Sequence, residues 1–242
     1  MTTYLRYELI RTFRNIRFVI FAFAFPLVLY LVIAAPNRHE HNLAGTGISA
    51  PLYYMVGLAT FAVMTGAVSS GARIAAERQV GWNRQLRITP LRSRSYLVTK
   101  VVTAYAMALV SILLLYVAGI ALGVRMSAGD WLEMTGLLLV GLIPFAALGI
   151  LVGHLVSADT IGPVMGGMAA LLALLGGTWF PITSGFMYDL ARSLPSYWLV
   201  RASHVPIGST GWGSLGWLVV AAWSIALIAL AARAYRRDTR PA

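Results

Sequence analysis

The fold of this chain is decided by residues 73–100, RIAAERQVGWNRQLRITPLRSRSYLVTK, which lie between two long apolar runs. The stretch contains seven arginines or lysines and a single acid, Glu77. Short loops with such an excess of basic residues stay on the cytoplasmic side of a bilayer. The sequence therefore predicts a cytoplasmic loop at residues 73–95, which fixes the orientation of the helices on either side.

Composition places the chain in a membrane. Of its 242 residues, 59% are hydrophobic and 11% are charged, and the mean hydropathy is +0.75. Soluble domains carry about 25% charged residues. The formal net charge is +11, and 15 of the 19 basic residues lie in 1–17, 73–100 and 233–242. This clustering indicates membrane sidedness and contact with anionic lipids, not nucleic acid.

Six apolar stretches are long enough to cross the bilayer as helices. They are Phe18–Ala35, Pro51–Ala72, Tyr96–Leu122, Trp131–Leu155, Thr160–Ile182 and Trp212–Ala232. An even number of spans returns both termini to the same side, and the basic termini and basic loop put that side in the cytoplasm. We therefore predict an all-α, multi-pass integral membrane protein in which residues 1–242 form one domain.

Two segments outside the spans have their own patterns. Residues 1–17 predict an amphipathic helix in the plane of the headgroups, with Leu5, Leu9 and Phe13 on one face. Residues 183–211 are too long for a turn and not apolar enough to cross. We predict two short helices there, divided at Pro195, on the extracytoplasmic side.

Small residues recur at every fourth position in three places, as in Gly119/Gly123, Gly149/Gly153 and Gly162/Gly166. Such spacing allows helix backbones to approach closely. Ordinary intramembrane packing and a helix that slides during transport both fit this pattern.

The sequence lacks the residues that several kinds of catalysis and metal binding require. It has no cysteine, no phosphate-cradling glycine loop and no catalytic constellation, so we predict that it is not an enzyme by itself. We also predict no metal site, because His39 and His41 in a loop make a poor pair of ligands. His154 is interpreted as a packing residue.

The predicted span cores contain no charged residue, which argues against a carrier driven by an ion gradient. Lys100, Glu133 and Arg73 lie near span ends, where we expect them to reach the headgroups.

The basic loop itself has the composition of a binding surface. Residues 77–87 can form a short helix that Pro90 ends, with Trp82 and Leu86 on one face and Arg84 and Arg87 on another. Tryptophan and arginine dominate binding hot spots. A cytoplasmic protein partner and simple attachment to lipid both remain open from these residues alone.

The segment Glu77-Arg78-x-x-Gly81-x-x-x-x-Leu86-Arg87-x-Thr89-Pro90-Leu91 resembles the coupling helix of type-2 permeases of ATP-binding-cassette (ABC) exporters, the group that includes daunorubicin-resistance and sodium-efflux permeases. Residues 176–181, GGTWFP, are similar to the end of that family's fifth span. The order of elements along nearly the whole chain matches as well.

The resemblance implies a permease that binds no cofactor and works with two copies of a separate ATPase, which hold ATP and Mg²⁺. It also implies a second permease chain, most simply a homodimer. The residues that would couple to the ATPase are Glu77, Arg78, Gly81, Trp82, Arg84, Leu86, Arg87, Thr89 and Pro90. A substrate path between the two permeases would be lined by Phe61, Met64, Thr65, Met165, Met168, Trp179 and Phe180.

We therefore predict the permease subunit of an exporter in a bacterial plasma membrane, moving a hydrophobic drug, an antibiotic or a lipid-like molecule. Two alternatives stay open at this point. One is a membrane receptor or anchor that recruits a cytoplasmic partner without transport, and the other is a gradient-driven carrier.

Overall fold

A computed structural model describes residues 2–81, 93–207 and 211–238, and within these residues the chain is all-helical, without a strand. The described α-helices are α1 Thr2–Arg14, α2 Ile16–Val19, α3 Phe25–Ala34, α4 Ala50–Gln79, α5 Ser93–Ala121, α6 Ala128–Leu155, α7 Ile161–Leu175, α8 Phe186–Arg192, α9 Pro195–Arg201 and α10 Ser214–Asp238. A π-helical turn, Ile20–Ala24, joins α2 to α3, and 3₁₀ turns lie at Leu43–Gly45 and Ala202–Ile207. The all-helical fold class is confirmed.

In the described part of the chain, four helices are long and apolar enough to cross a membrane: Ala50–Gln79, Ser95–Ala121, Ala128–Leu155 and Ser214–Asp238. They correspond to α4, α5, α6 and α10, which are four of the six predicted spans. The predicted first and fifth spans contain shorter apolar helices, Ala22–Ala34 and Ile161–Leu175. The total of six spans therefore stays a prediction.

Helix α4 lies at the centre of the fold, in contact with α3, α5, α6, α7 and α9. Its approach to α6 is so close that a Cβ atom on Gly71 would lie 2.0 Å from the carbonyl oxygen of Gly149. A Cβ on Gly153 would lie 2.5 Å from the carbonyl oxygen of Gly71. Only glycine fits at these contacts, so the spacing of Gly149 and Gly153 does bring two backbones together as predicted.

The amphipathic N-terminal helix is shorter than predicted, since α1 ends at Arg14 instead of continuing to residue 17. The amide of Asn15 bonds to the carbonyl of Thr12, three positions back, and this tighter turn interrupts the α-helical pattern. Further on, the π-helical turn immediately precedes Phe25 and Pro26. Proline has no amide hydrogen to donate within the helix, and a local change of winding accommodates that loss.

The fifth predicted span is longer than the helix that the structure contains there. Helix α7 ends at Leu175, because Gly177 adopts φ +76° and closes a Schellman motif. In this motif the amide of Thr178 donates to the carbonyl of Ala173 at 2.9 Å, and the amide of Gly177 donates to that of Leu174 at 3.2 Å. The prediction that the helix continues to residue 182 is therefore wrong, and Trp179 and Phe180 lie beyond its end.

The predicted linker at 183–211 contains two short helices, α8 and α9, and Pro195 begins the second. Two indoles hold the linker in place. The Nε1 of Trp198 donates to the carbonyl of Arg192 at 2.9 Å, and the Nε1 of Trp212 donates to the carbonyl of Trp198 at 2.5 Å. The linker thus packs as a fixed part of the core, against α4, α6 and α10.

Candidate functional site

The last two turns of α4 carry three charged side chains, Arg73, Glu77 and Arg78. Residues 73 and 77 are one turn apart and share a face of the helix, whereas residue 78 lies on a neighbouring face. These two faces make two separate sets of contacts just before the polypeptide enters the predicted coupling segment.

The first set is a buried ion cluster, which we define as Glu8, Arg11, Arg73, Glu77 and Lys100. At its centre, the Nζ of Lys100 lies 2.7 Å from Oε1 of Glu8 and 2.8 Å from Oε1 of Glu77. Lys100 is only 1% exposed, and both glutamates are 3% exposed. The lysine therefore bridges a carboxylate on α1 and a carboxylate on α4 from its position on α5.

Further donors complete the shell around each carboxylate. The hydroxyl of Tyr96 donates to Oε2 of Glu77 at 2.6 Å, and Nη1 of Arg11 donates to Oε1 of Glu77 at 3.2 Å. Nη1 of Arg73 lies 3.8 Å from Oε1 of Glu8 and donates a hydrogen bond to the hydroxyl of Thr12. Buried charges are tolerated only when they are paired and hydrogen-bonded in this way.

The charges of the cluster balance in its buried part. Glu8 and Glu77 face Lys100 and Arg73, while Arg11 is 63% exposed and lies at the rim. Removing any one of the three buried groups, Glu8, Glu77 and Lys100, would leave an uncompensated charge away from water, and Arg73 is half-buried beside them. The cluster is therefore a strong constraint on the relative positions of α1, α4 and α5.

This arrangement corrects one expectation from the sequence. Lys100 is buried and Arg73 is half-buried, and both pair with carboxylates inside the protein, those of Glu8 and Glu77. Glu8 was missed in the sequence, although it is the single acid among the four arginines of residues 1–17. An acid that stands alone on a basic helix is a clue to an internal ion pair.

The second set of contacts forms an Arg78 clamp, defined as Arg78, Asp238, His154 and the carbonyl of Gly153. Nε of Arg78 lies 2.6 Å from Oδ2 of Asp238, and Nη2 donates to Oδ1 at 2.9 Å. Nη1 of Arg78 donates to the carbonyl of Gly153 at 3.1 Å, and Nδ1 of His154 lies 2.9 Å from Oδ2 of Asp238. The clamp thus ties α4 to the ends of α6 and α10.

His154 is buried, and its ring packs edge-on against Tyr235 with centroids 5.4 Å apart. Its place between helices agrees with the interpretation of a packing residue, and it also belongs to the clamp. Among the described residues, no group of three or more metal-ligating side chains gathers at one place.

Helix α4 ends at Gln79, and Gly81 follows with φ +71°. The remaining residues of the predicted coupling surface, Trp82, Arg84, Leu86, Arg87, Thr89 and Pro90, lie outside the described residues. The described part shows Glu77 and Arg78 in contacts within the chain. Their role in coupling stays a prediction. In its more specific form, Glu77 and Arg78 hold the helix end from which the predicted coupling segment begins.

The predicted substrate-path residues do not form one group in the structure. Phe61 contacts Trp179, with ring centroids 5.5 Å apart. Met165 is buried beside Val68 of α4, with Met168 packed against the same cluster. The others differ in burial: Met64 is fully buried, Thr65 is half-buried with its hydroxyl bonded to the carbonyl of Phe61, and Phe180 is half-exposed. Whether they line a path stays a prediction.

Comparison with known proteins identifies the family. Residues 46–233 match the family described as ABC-2 family transporter protein, and the chain belongs to that family. It is 29% identical over 199 residues to "Putative transport permease YvfS" of Bacillus subtilis (strain 168), which covers 78% of each chain. The chain is thus a membrane subunit of a transporter, and its family implies an ATPase partner. Glu77 and Lys100 lie within the matched residues, whereas Glu8 lies before them.

Proposed function

We propose that this chain is the permease subunit of an ATP-driven ABC exporter in a bacterial plasma membrane, with both termini in the cytoplasm. It works as a homodimer with two copies of a separate ATPase, which bind ATP and Mg²⁺. Its cargo is a hydrophobic drug, an antibiotic or a lipid-like molecule that leaves the cell.

The observation that carries the proposal is the fixed end of α4. The buried ion cluster joins this end to α1 and α5, and the Arg78 clamp joins it to α6 and α10. A force applied to residues 82–92 would therefore act on five helices at once. Packed interfaces respond to such forces by moving as units, because close-packed cores deform little.

The surface of α7 supports a second permease chain. Gly162, Gly166 and Gly167 are exposed, and a Cβ atom at each of them would meet nothing within 4 Å. Small residues on an exposed helix face allow another helix to approach closely in a membrane. Each chain has a single predicted coupling segment, so two ATPases require two permeases.

The hydrophobic cargo is supported by the aromatic pair of Phe61 and Trp179 and by the two methionines of α7, Met165 and Met168. Flexible thioethers and aromatic rings suit ligands of varied shape. The orientation is supported by the basic residues that gather at the end of α4 where the buried ion cluster lies.

The test is reconstitution of the chain in proteoliposomes with the ATPase that copurifies with it. We expect ATP hydrolysis to be stimulated by cargo and cargo to move only when ATP is present. A receptor would show no cargo-dependent hydrolysis. Cargo movement driven by an imposed proton gradient without ATP would favour a carrier. This measurement is needed because the buried ion cluster contains two carboxylates, the type of group that carriers driven by protons use.

One substitution separates coupling from assembly. Arg78→Gln removes the clamp, and we expect less cargo moved per ATP hydrolysed while the ATPase still copurifies. Arg38→Gln is the matched control, because Arg38 is an exposed arginine whose Nε donates to the neighbouring His39 and which lies outside the clamp. Equal loss in both variants would contradict the coupling role of the clamp.

A further inference from the structure

A cavity of about 320 Å³ lies at the end of the bundle opposite the buried ion cluster. Its walls come from the start of α4, from the chain that follows α7, and from α8, α9 and the 3₁₀ turn after α9. Its lining includes Tyr53, Ile182, Tyr188, Tyr197, Arg201 and His204. None of them belongs to the coupling site.

Arg201 brings a positive charge to this cavity without a negative partner. Its Nη1 lies 3.1 Å from Nε2 of His204, and its guanidinium also interacts with the side chain of Tyr197. Within residues 2–81, 93–207 and 211–238, no carboxylate forms an ion pair with it. An arginine has five N–H donors in a planar fork, so these two contacts leave donors for an anion.

His204 does not add to this charge. Burial and the neighbouring guanidinium of Arg201 lower the pKa of His204 to about 4. At neutral pH the imidazole is therefore uncharged, and its Nε2 accepts the hydrogen bond from Arg201. The histidine orients the guanidinium without competing for an anion.

The walls are held by contacts that fix their shape. The hydroxyl of Tyr53 donates to the carbonyl of Gly177, which joins α4 to the chain after α7. The rings of Tyr188 and Tyr197 meet edge-on with centroids 6.0 Å apart. Gly176 must be glycine here, because a Cβ would lie 2.7 Å from the side chain of Ser196. The cavity is therefore preformed by packing between separate elements.

The lining combines polar and apolar side chains. Arg201, Tyr188, Tyr197 and Thr183 are polar, whereas Pro181, Ile182, Val200 and Ile207 are apolar. Ligand pockets in proteins begin at about 300 Å³, and they combine an apolar lining with a few polar groups that set orientation. This combination fits a molecule that has an anionic group and an apolar part.

We propose that this cavity binds an anionic group, a phosphate or a carboxylate, with Arg201 as the charged ligand-binding residue. The site uses only residues of this chain, so it does not depend on the ATPase or on the direction of transport. Two sources of the same chemistry are open, a membrane phospholipid and a small soluble anion.

The experiment measures binding to the purified full chain in non-ionic detergent by isothermal titration calorimetry. The probes are dihexanoyl phosphatidylglycerol, dihexanoyl phosphatidylcholine and glycerol 3-phosphate. We expect the anionic lipid to bind more tightly than the zwitterionic lipid of the same chain length. Binding of glycerol 3-phosphate with equal affinity would identify a small soluble anion as the source, and its failure to bind would identify the lipid.

Three variants assign the binding to the cavity. Arg201→Gln should weaken binding roughly tenfold to a hundredfold, the usual effect of losing hydrogen bonds to a charged group. Ile182→Trp should also weaken it by filling the apolar part, even if Arg201→Gln fails to fold. Arg125→Gln is the control, because Arg125 is an exposed arginine at the same end of the bundle that bonds to backbone carbonyls outside the cavity. Equal binding of both lipids, equal loss with Arg125→Gln, or no binding of either anionic probe would overturn the proposal.

Discussion

Replacing Lys100 with methionine tests the buried ion cluster most directly. Methionine is unbranched and only one heavy atom shorter than lysine, but it removes the charge that bridges two carboxylates at 2.7 and 2.8 Å. Glu77 would retain Tyr96 and the exposed Arg11, while Glu8 would retain two longer ion pairs, with Arg73 at 3.8 Å and with the exposed Arg11 at 4.0 Å. The variant therefore leaves a buried carboxylate whose remaining ion pairs are more than 1 Å longer than the 2.7 Å contact that it loses.

Removing one partner from a buried ion pair costs about 3–5 kcal/mol of folding free energy. For a chain of this size such a loss lowers the midpoint of thermal unfolding by roughly 6–20 °C. The assay is unfolding in mixed micelles, followed by the fluorescence of the seven tryptophans. Glu133→Gln is the control, because Glu133 is an exposed acid at the start of α6.

A double-mutant cycle isolates the contact between α1 and α5. Glu8→Gln alone should destabilise the chain, and the variant with both Glu8→Gln and Lys100→Met should lose less than the sum of the single variants by at least about 1 kcal/mol. Additive losses, or a Lys100→Met variant within about 0.5 kcal/mol of the parent, would refute the reasoning, since surface substitutions have effects of that size.

Two further predictions concern packing and topology. Gly71→Ala should destabilise the chain by about 1–3 kcal/mol or more, because the added methyl group would overpack against Gly149. Gly166→Ala should not destabilise it, because a Cβ at that position meets nothing within 4 Å. Thermal unfolding in detergent compares the two variants. Because the chain has no cysteine, Ser184→Cys should react with an impermeant thiol reagent added to intact cells and Gln79→Cys should not; the opposite labelling would reverse the proposed orientation.

The sequence predicted those features that depend on local pattern. Apolar runs predicted the helical class, and Pro195 predicted the start of the second linker helix, because proline favours the first turn of a helix. The overlong fifth span shows the limit of hydropathy. Trp179 and Phe180 extend the apolar run, but Gly177 closes the helix through backbone conformation, which a hydropathy average does not register.

The candidate site could be predicted only in part, because its partners are distant in sequence. Glu77 and Arg78 were singled out as residues that face an ATPase, whereas the described structure shows them in contacts within the chain. Lys100 and Glu8 are 92 positions apart, and Arg78 and Asp238 are 160 apart. Neither helical spacing nor hydropathy relates such pairs, so they become visible only when the helices are placed in three dimensions.

Helix α4 connects the cavity with the buried ion cluster. Tyr53 borders the cavity at one end and Glu77 lies in the buried ion cluster at the other, roughly 36 Å apart at 1.5 Å per residue along one helix. Near the cluster, the contact between Gly71 and Gly149 leaves no room for α4 to slide along α6. A force from the coupling segment would therefore move these two helices together.

Any bend in α4 would fall nearer the middle of the helix. There, the hydroxyl of Thr65 bonds to the carbonyl of Phe61 at 2.7 Å and that of Ser69 bonds to the carbonyl of Thr65 at 2.5 Å. Such bonds from a side chain to the preceding turn weaken and bend helices. Gly66 lies between these residues, and a Cβ there would meet nothing within 4 Å, so the surroundings leave space for the bend. Movement of the cytoplasmic end relative to the cavity would then be concentrated at residues 61–69, where Phe61 touches Trp179.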